Sequence, residues 1–175
     1  MNSVSYGVLV FNANAELLLC HASGSPWWDI PKGGGRRAES GRQAAVRETF
    51  EECGLRLAPD TLLPLGSFAY RRGKDLQLYA TMTERFDPQS CVCTSRFTDR
   101  HGVLRPEMDN YRWAAFGEVP QWCGKSLAQL LLRTLSLERT LAQLLAMAQQ
   151  GAQPQHVQGA LQSGTQVPSD ESTGD

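Results

Sequence analysis

The stretch that most limits how this chain can fold is GGGRRAESGRQAAVRETFEECGL, Gly33 to Leu55. Ser40 and Gln43 stand at capping-box spacing, and Gly54 suits the left-handed residue that closes a helix. No proline intervenes, so the spacing predicts a helix from about Ser40 to Gly54, entered directly from three glycines. At about 100° per residue, Glu52 lies roughly 40° to one side of Glu48 and Glu51 roughly 60° to the other. Three carboxylates therefore share a face. Ala45, Val46, Thr49, Phe50 and Cys53 form an adjacent arc that is expected to face the core.

Three anions on one face raise one another's pKa and weaken the helix unless something neutralises them. A hard divalent cation would do so, since magnesium takes carboxylates, waters and phosphate oxygens as ligands. Arg47 precedes Glu51 by one helical turn and can pair with it, and Glu39 adds a carboxylate before the helix. Gly33, Gly34 and Gly35 let backbone approach a ligand closely. Lys32 offers a point charge to phosphate, and the helix N-terminus offers N–H groups. The alternative is a solvated acidic face behind an unremarkable loop.

The rest of the chain frames this unit. YGVLVFN and ELLLCHA read as two strands joined by a short turn, LLPLGSFAYR and DLQLYATMT as a hairpin closed by RGK, and YRWAAF as a further strand. SLAQLLLRTLSLERTLAQLLAMAQQ carries leucines at helical spacing and reads as one long helix or two short ones. Its stripe of Leu127, Leu130, Leu131, Leu135, Leu141, Leu144 and Leu145 suits packing on a sheet, with a homodimer through one face left open. Strands on both sides of a central helix give an α/β class in residues 1–150. Residues 151–175 are polar and without aromatics, and are expected to be a disordered tail.

A formal net charge of −1 gives no global field for nucleic acid or a membrane surface, and no apolar run reaches membrane-spanning length. No basic n-region precedes the first apolar run, so the chain reads as cytoplasmic, without a membrane or a stable nucleic-acid complex as partner. The five cysteines, Cys20, Cys53, Cys91, Cys93 and Cys123, lack zinc-ligand spacing and are expected to be buried or half-buried thiols.

Gly33 to Leu55 resembles the Nudix box, G-x5-E-x7-R-E-U-x-E-E-x-G-U, where U is a bulky apolar residue. Gly33, Glu39, Arg47, Glu48, Glu51, Glu52, Gly54 and Leu55 match, eight of the nine defined positions. Thr49 stands at the first U, where its methyl can pack and its hydroxyl can bond to the preceding turn. Ala38 occupies a place where many relatives carry glycine. WDIPKG before the box, and the hairpin and PEMDNYRW after it, occur in the order typical of the family.

The resemblance implies an α/β/α sandwich around a mixed sheet, with the box as loop–helix–loop. It implies a hydrolase that uses Mg2+ or Mn2+ to cleave a phosphoanhydride bond in a nucleoside diphosphate linked to another moiety. Glu48, Glu51 and Glu52 would be metal ligands, with Glu39 a secondary ligand or loop-stabilising residue, and Arg47 would orient a glutamate. The general base would be a box glutamate or Glu107, in RPEMDNYRW; an exposed loop carboxylate is the other reading of Glu107. A Nudix-fold nucleotide-binding module or sensor without turnover is the alternative function.

Substrate hints are sparser. Lys32, Gly33 and Gly34, with Arg71, Arg72 and Lys74 at the RRGK tip, form a candidate substrate-binding set that would suit a polyphosphate chain such as that of a dinucleoside polyphosphate. Trp27, Trp28, Tyr70 and Tyr79 could stack a base, although aromatic residues on strands more often serve the core.

Overall fold

A computed structural model describes residues 2–151, and all of the expected tail but Gly151 lies outside the described residues. Strand β1 (Ser3–Phe11) is the spine of the sheet. It runs parallel to β6 (Lys74–Met82) in unbroken register from Ser3↔Lys74 to Phe11↔Met82. β5 (Leu63–Arg71) pairs antiparallel with β6, forming the hairpin expected around RGK. Gly73 closes that hairpin at a φ of 73°, a left-handed conformation that glycine takes without steric cost.

The other edge of β1 is divided. Only Phe11 pairs with β2 (Glu16–Ala22), at Leu17, and the two strands then separate. Into the gap run β3 (Trp28–Asp29), which pairs with β2, and β4 (Lys32–Gly34), which pairs with β1 at Ser5, Tyr6 and Gly7. The glycine loop is thereby partly a strand, fixed inside the sheet. On its far side β2 pairs with β9 (Met108–Ala115). A small separate hairpin, β7 (Arg96–Thr98) and β8 (Leu104–Pro106), leads into β9.

Val8, Leu9, Val10 and Phe11 are all fully buried, as a central strand requires when both faces of its sheet are covered. Helix α1 (Gly41–Cys53) covers one face over Val8, Val10, Leu18, Cys20 and Tyr79. The opposite face packs Leu9, Phe11, Leu17, Leu19 and Leu78 beneath the C-terminal helices. These are the short α2 (Val119–Trp122), α3 (Lys125–Gln129) and α4 (Leu137–Gly151). Helices on both faces of a mixed sheet give the α/β sandwich expected from the sequence.

The leucine segment is two helices. α3 runs into one widened, π-helical turn, Leu130–Thr134, and ends at Leu135 in extended conformation. Ser136 then opens α4, its Oγ accepting from the Arg139 amide at 3.2 Å. Leu137 is fully buried in the core stripe, whereas Leu145, assigned to that stripe from the sequence, is exposed. No helix among the described residues is long and apolar enough to cross a membrane. All five cysteines are free thiols, four of them buried.

Candidate active site

Helix α1 starts and stops where its sequence directs. Ser40 Oγ accepts from the Gln43 amide, and the Gln43 side chain accepts in return from the Ser40 amide at 2.9 Å. Gly54 ends the helix at φ 75° with its N–H donating to the Phe50 carbonyl. Thr49 is fully buried, its hydroxyl donating to the Ala45 carbonyl at 2.8 Å.

The buried face of α1 is not the arc expected from the sequence. It comprises Ala44, Ala45, Glu48, Thr49, Glu52 and Cys53, while Val46 and Phe50 are only half-buried. Two acidic side chains therefore lie in the seam between helix and sheet. Phe50 can stay partly out because Arg56 covers its ring, 4.5 Å from the centroid.

Glu48 faces β4 across a gap with no room to spare. A Cβ placed on Gly33 would lie 2.2 Å from the Glu48 carboxyl carbon and 2.2 and 2.5 Å from its oxygens. Glycine is required there by close approach rather than by an unusual φ. Glu52, 3% exposed, accepts through Oε2 from the Lys32 amide at 2.9 Å, so the first residue of β4 holds the second buried glutamate. At the other end of that residue, Tyr111 Oη donates to the Glu52 carbonyl at 2.5 Å and ties the helix end to β9.

Arg47 organises the remaining charges. Its Nε and Nη2 grip both oxygens of Glu39 at 2.9 and 3.0 Å. Nη1 reaches Glu48 Oε1 at 2.7 Å and Glu51 Oε2 at 3.0 Å, and Nη2 also meets the Gly34 carbonyl at 2.7 Å. One planar guanidinium thus joins box loop, helix and glycine strand, a bridging role a lysine could not fill. Arg36 adds a contact to Glu51 Oε1 at 2.8 Å, and its amide donates to Glu39. Ala38 reaches this turn at φ 65°, the conformation that the glycine of many relatives takes freely.

These surroundings move the acids apart. Arg47, hydrogen-bonded to Glu39, holds that carboxyl below its ordinary range. Burial raises Glu48, against the pull of Arg47 and with the push of Glu51 and Glu107. Burial also carries Glu52 up to about 8, opposed by the Lys32 amide and reinforced by Glu48 and Glu107. Glu107 therefore belongs to the same electrostatic neighbourhood. It is half-buried in the step between β8 and β9, anchored by its backbone to Ser23 and Ser95.

The Lys32 side chain, a candidate phosphate contact on sequence grounds, is paired within the fold. Its Nζ meets Asp29 Oδ2 at 2.7 Å, and both side chains are largely covered. Burial alone would lower the ammonium's pKa; Asp29 outweighs it and keeps the charge. Lys32 acts on the site through its amide. The RRGK tip holds the other candidate substrate contacts. Ser3 pairs with Lys74, so the tip abuts the start of β1, and β1 stands between it and β4. Arg71 lies over Tyr70, 4.8 Å from the ring centroid, and donates to its hydroxyl at 3.1 Å. Tyr70 belongs to the core on the face opposite α1. None of Arg71, Arg72 and Lys74 pairs with a box glutamate among the described residues.

The donor set suits a hard cation. Among the described residues Glu48 Oε2 and Glu52 Oε1 have no hydrogen-bond partner, and neither is sealed from solvent. Glu107 has no side-chain ion pair among the described residues. Among the described residues no three acidic, histidine or cysteine side chains are already gathered closely enough to hold a metal ion. Oxygen-only ligands with open positions are the arrangement magnesium favours over a dedicated protein cage.

A family model described as the NUDIX domain matches residues 1–134. An uncharacterized 17.7 kDa protein from the e–segB intergenic region of Enterobacteria phage T4 is 35% identical over 147 residues, spanning 75% of this chain and 94% of the phage protein. The RNA pyrophosphohydrolase of Actinobacillus succinogenes is 28% identical over 118 residues, 63% of this chain and only 60% of that protein. Among solved structures, a C. elegans Ap4A hydrolase in a binary complex superposes with a TM-score of 0.53 at 22% identity, covering 82% of this chain and 98% of that one. A nudix hydrolase family member from Chromobacterium violaceum gives 0.56 at 17% identity over 86% and 92%. At such identities the structures share the fold. With the matched model spanning most of the chain and the box residues gathered around one glycine strand, the chain belongs to the NUDIX domain family.

Proposed function

We propose that the protein is a Mg2+-dependent pyrophosphohydrolase that cleaves a phosphoanhydride bond in a nucleoside diphosphate linked to a further moiety, with dinucleoside polyphosphates as the substrate class to test first. The observation that carries this reading is the packing of Gly33 against Glu48, with Glu52, Glu51 and Glu107 around the same strand. The names of two relatives, an RNA pyrophosphohydrolase and an Ap4A hydrolase, support a nucleotide polyphosphate as substrate.

Glu48, Glu51 and Glu52 would hold the metal, with Glu107 in the same electrostatic neighbourhood. When bound, the ion would polarise the bridging phosphates and lower the pKa of the attacking water. The chain's own residues supply the rest. Arg47 fixes Glu48 and Glu51 through one oxygen each, and leaves Glu48 Oε2 free. The Lys32 amide fixes Glu52 the same way and leaves Oε1 free. Gly33 keeps β4 slim enough for the Glu48 carboxylate to lie against it. Glu107, free of any ion pair among the described residues, takes the proton of the attacking water at a carboxylate oxygen.

The test is a panel of dinucleoside tetraphosphate, 5′-triphosphorylated RNA, nucleotide sugar and nucleoside triphosphate, each with Mg2+ and with chelator. Magnesium-dependent release of nucleotide product is expected. Binding of nucleotide without product from any member would assign the chain to the non-catalytic class instead.

A further inference from the structure

Trp27 is the aromatic side chain that the fold does not use. Of the four aromatic residues open to base stacking on sequence grounds, Tyr70 and Tyr79 are buried. Trp28 packs edge-on against Trp122 and His21, at 6.1 and 5.3 Å between ring centroids. Trp27, 46% exposed, instead lines a cavity of about 470 Å³, shared with Lys125, Ala128 and Gln129 of α3 and with Leu132 and Arg133.

Three features of this cavity point to a ligand. Its volume lies within the range of small-molecule sites, about 300–1,000 Å³. Its lining includes two cations and no acid. Neither Lys125 nor Arg133 makes an ion pair among the described residues, so both charges are available to a ligand. Leu132 and Arg133 also come from the π-helical turn, where the Leu135 amide reaches back five residues to the Leu130 carbonyl at 2.9 Å. Single widened turns of this kind concentrate at functional sites, because they redirect side chains that a regular helix would bury. Here Leu132 is left 38% exposed.

A ring face, an aliphatic side chain and two unpaired cations together match a flat apolar group carrying negative charge. We propose that this cavity is a nucleotide-binding subsite, in which a base stacks on Trp27 beside Leu132 and its phosphate is met by Lys125 and Arg133. The subsite is linked in sequence to the glycine strand. Trp27 immediately precedes β3, whose Asp29 holds Lys32, the residue before Gly33. The occupant is either the remote nucleoside of the substrate or a separate free nucleotide, and the inference does not depend on turnover at the box.

The probe is AMP, which has a base and a phosphate but no phosphoanhydride bond. It is titrated calorimetrically into the full chain with chelator present, so that binding through a metal is excluded. AMP is expected to bind, with adenosine and inorganic phosphate each at least about tenfold weaker. Trp27→Ala should weaken AMP by about tenfold or more, the usual loss when a stacking ring is removed. Lys125→Gln with Arg133→Gln should weaken it by at least about fivefold, while Glu52→Gln leaves it unchanged. Unaltered melting of each variant confirms folding. No AMP binding, or equal affinity in both the Trp27 and the double-cation variants, overturns the proposal. With magnesium and a dinucleoside tetraphosphate, a KM raised at least about fivefold by Trp27→Ala assigns the subsite to the substrate's remote nucleoside. An unchanged KM beside lost AMP binding assigns it to a free nucleotide.

Discussion

Replacing Gly33 by alanine adds one methyl group at the point of closest approach in the site. The new carbon would start 2.2 Å from the Glu48 carboxylate, and ordinary carbon contacts lie near 3.5 Å, so the pair must separate by about 1 Å. Strand β4 is bonded into β1 on one side and supplies the Lys32 amide to Glu52 on the other, which leaves it little freedom. The Glu48 carboxylate is the end of a flexible side chain and moves more easily. It would leave Arg47 Nη1, now at 2.7 Å, at a cost to folding of about 1–2 kcal/mol. Its displacement as a ligand is more serious, because a 1 Å error in a catalytic constellation can cost about a hundredfold in rate. Gly33→Ala should therefore keep a cooperative melt within several degrees of the parent, yet lose about two orders of magnitude in kcat/KM. Gly34→Ala is the comparison, since nothing lies within 4 Å of a Cβ built there; its loss should be at least about tenfold smaller. Steady-state hydrolysis across a magnesium titration reads both. Wild-type kcat/KM in Gly33→Ala, or equal losses in the two variants, would refute the steric reasoning.

Other outcomes follow from the same geometry. Glu51→Gln and Glu52→Gln should each cut turnover at least about tenfold with the fold intact, because losing 1.4 kcal/mol of transition-state stabilisation is already tenfold; wild-type rates under limiting magnesium would remove both from the metal site. Ala38→Gly should stabilise the protein by up to about 1 kcal/mol, since glycine takes the positive φ of the box loop without strain, and chemical denaturation measures this. In chelator, stability should fall as pH rises from about 4.5 towards 8: Glu52 keeps its proton in the folded state up to about 8, whereas the unfolded chain gives it up near 4.5, so folding becomes costlier across that interval. Glu52→Gln should flatten that slope, and an unchanged slope would show that Glu52 is not the group responsible.

Helix α1 was legible because its signals are local: Ser40 and Gln43 cap each other, Gly54 closes the end, and Thr49 bonds one turn back. The shared position of Glu48, Glu51 and Glu52 followed from helical spacing alone. The burial of Glu48 and Glu52 did not, because it depends on how far β1 and β2 separate to admit β3 and β4, a non-local matter. The pairing of Lys32 with Asp29 was hidden for the same reason. Strand β4 turns its amide towards Glu52 while its side chain finds Asp29, and no sequence pattern distinguishes a lysine offered to phosphate from one consumed by a neighbour. The break at Leu135 lacks glycine or proline, so the leucine run showed no stop. The β7–β8 hairpin, absent from the sequence reading, consists of two three-residue strands, too short to leave a periodic signal.

The central claim is that the box carboxylates form one divalent-metal site, and Mn2+ binding followed by electron paramagnetic resonance addresses it most directly. The free-ion signal should fall with saturable binding in the parent chain. The affinity should weaken at least about tenfold in Glu48→Gln and in Glu52→Gln, and remain near the parent value in Arg72→Gln, whose side chain is exposed at the hairpin tip. Undiminished Mn2+ affinity in the Glu48→Gln/Glu52→Gln double variant would contradict the account, whatever activity that variant retains.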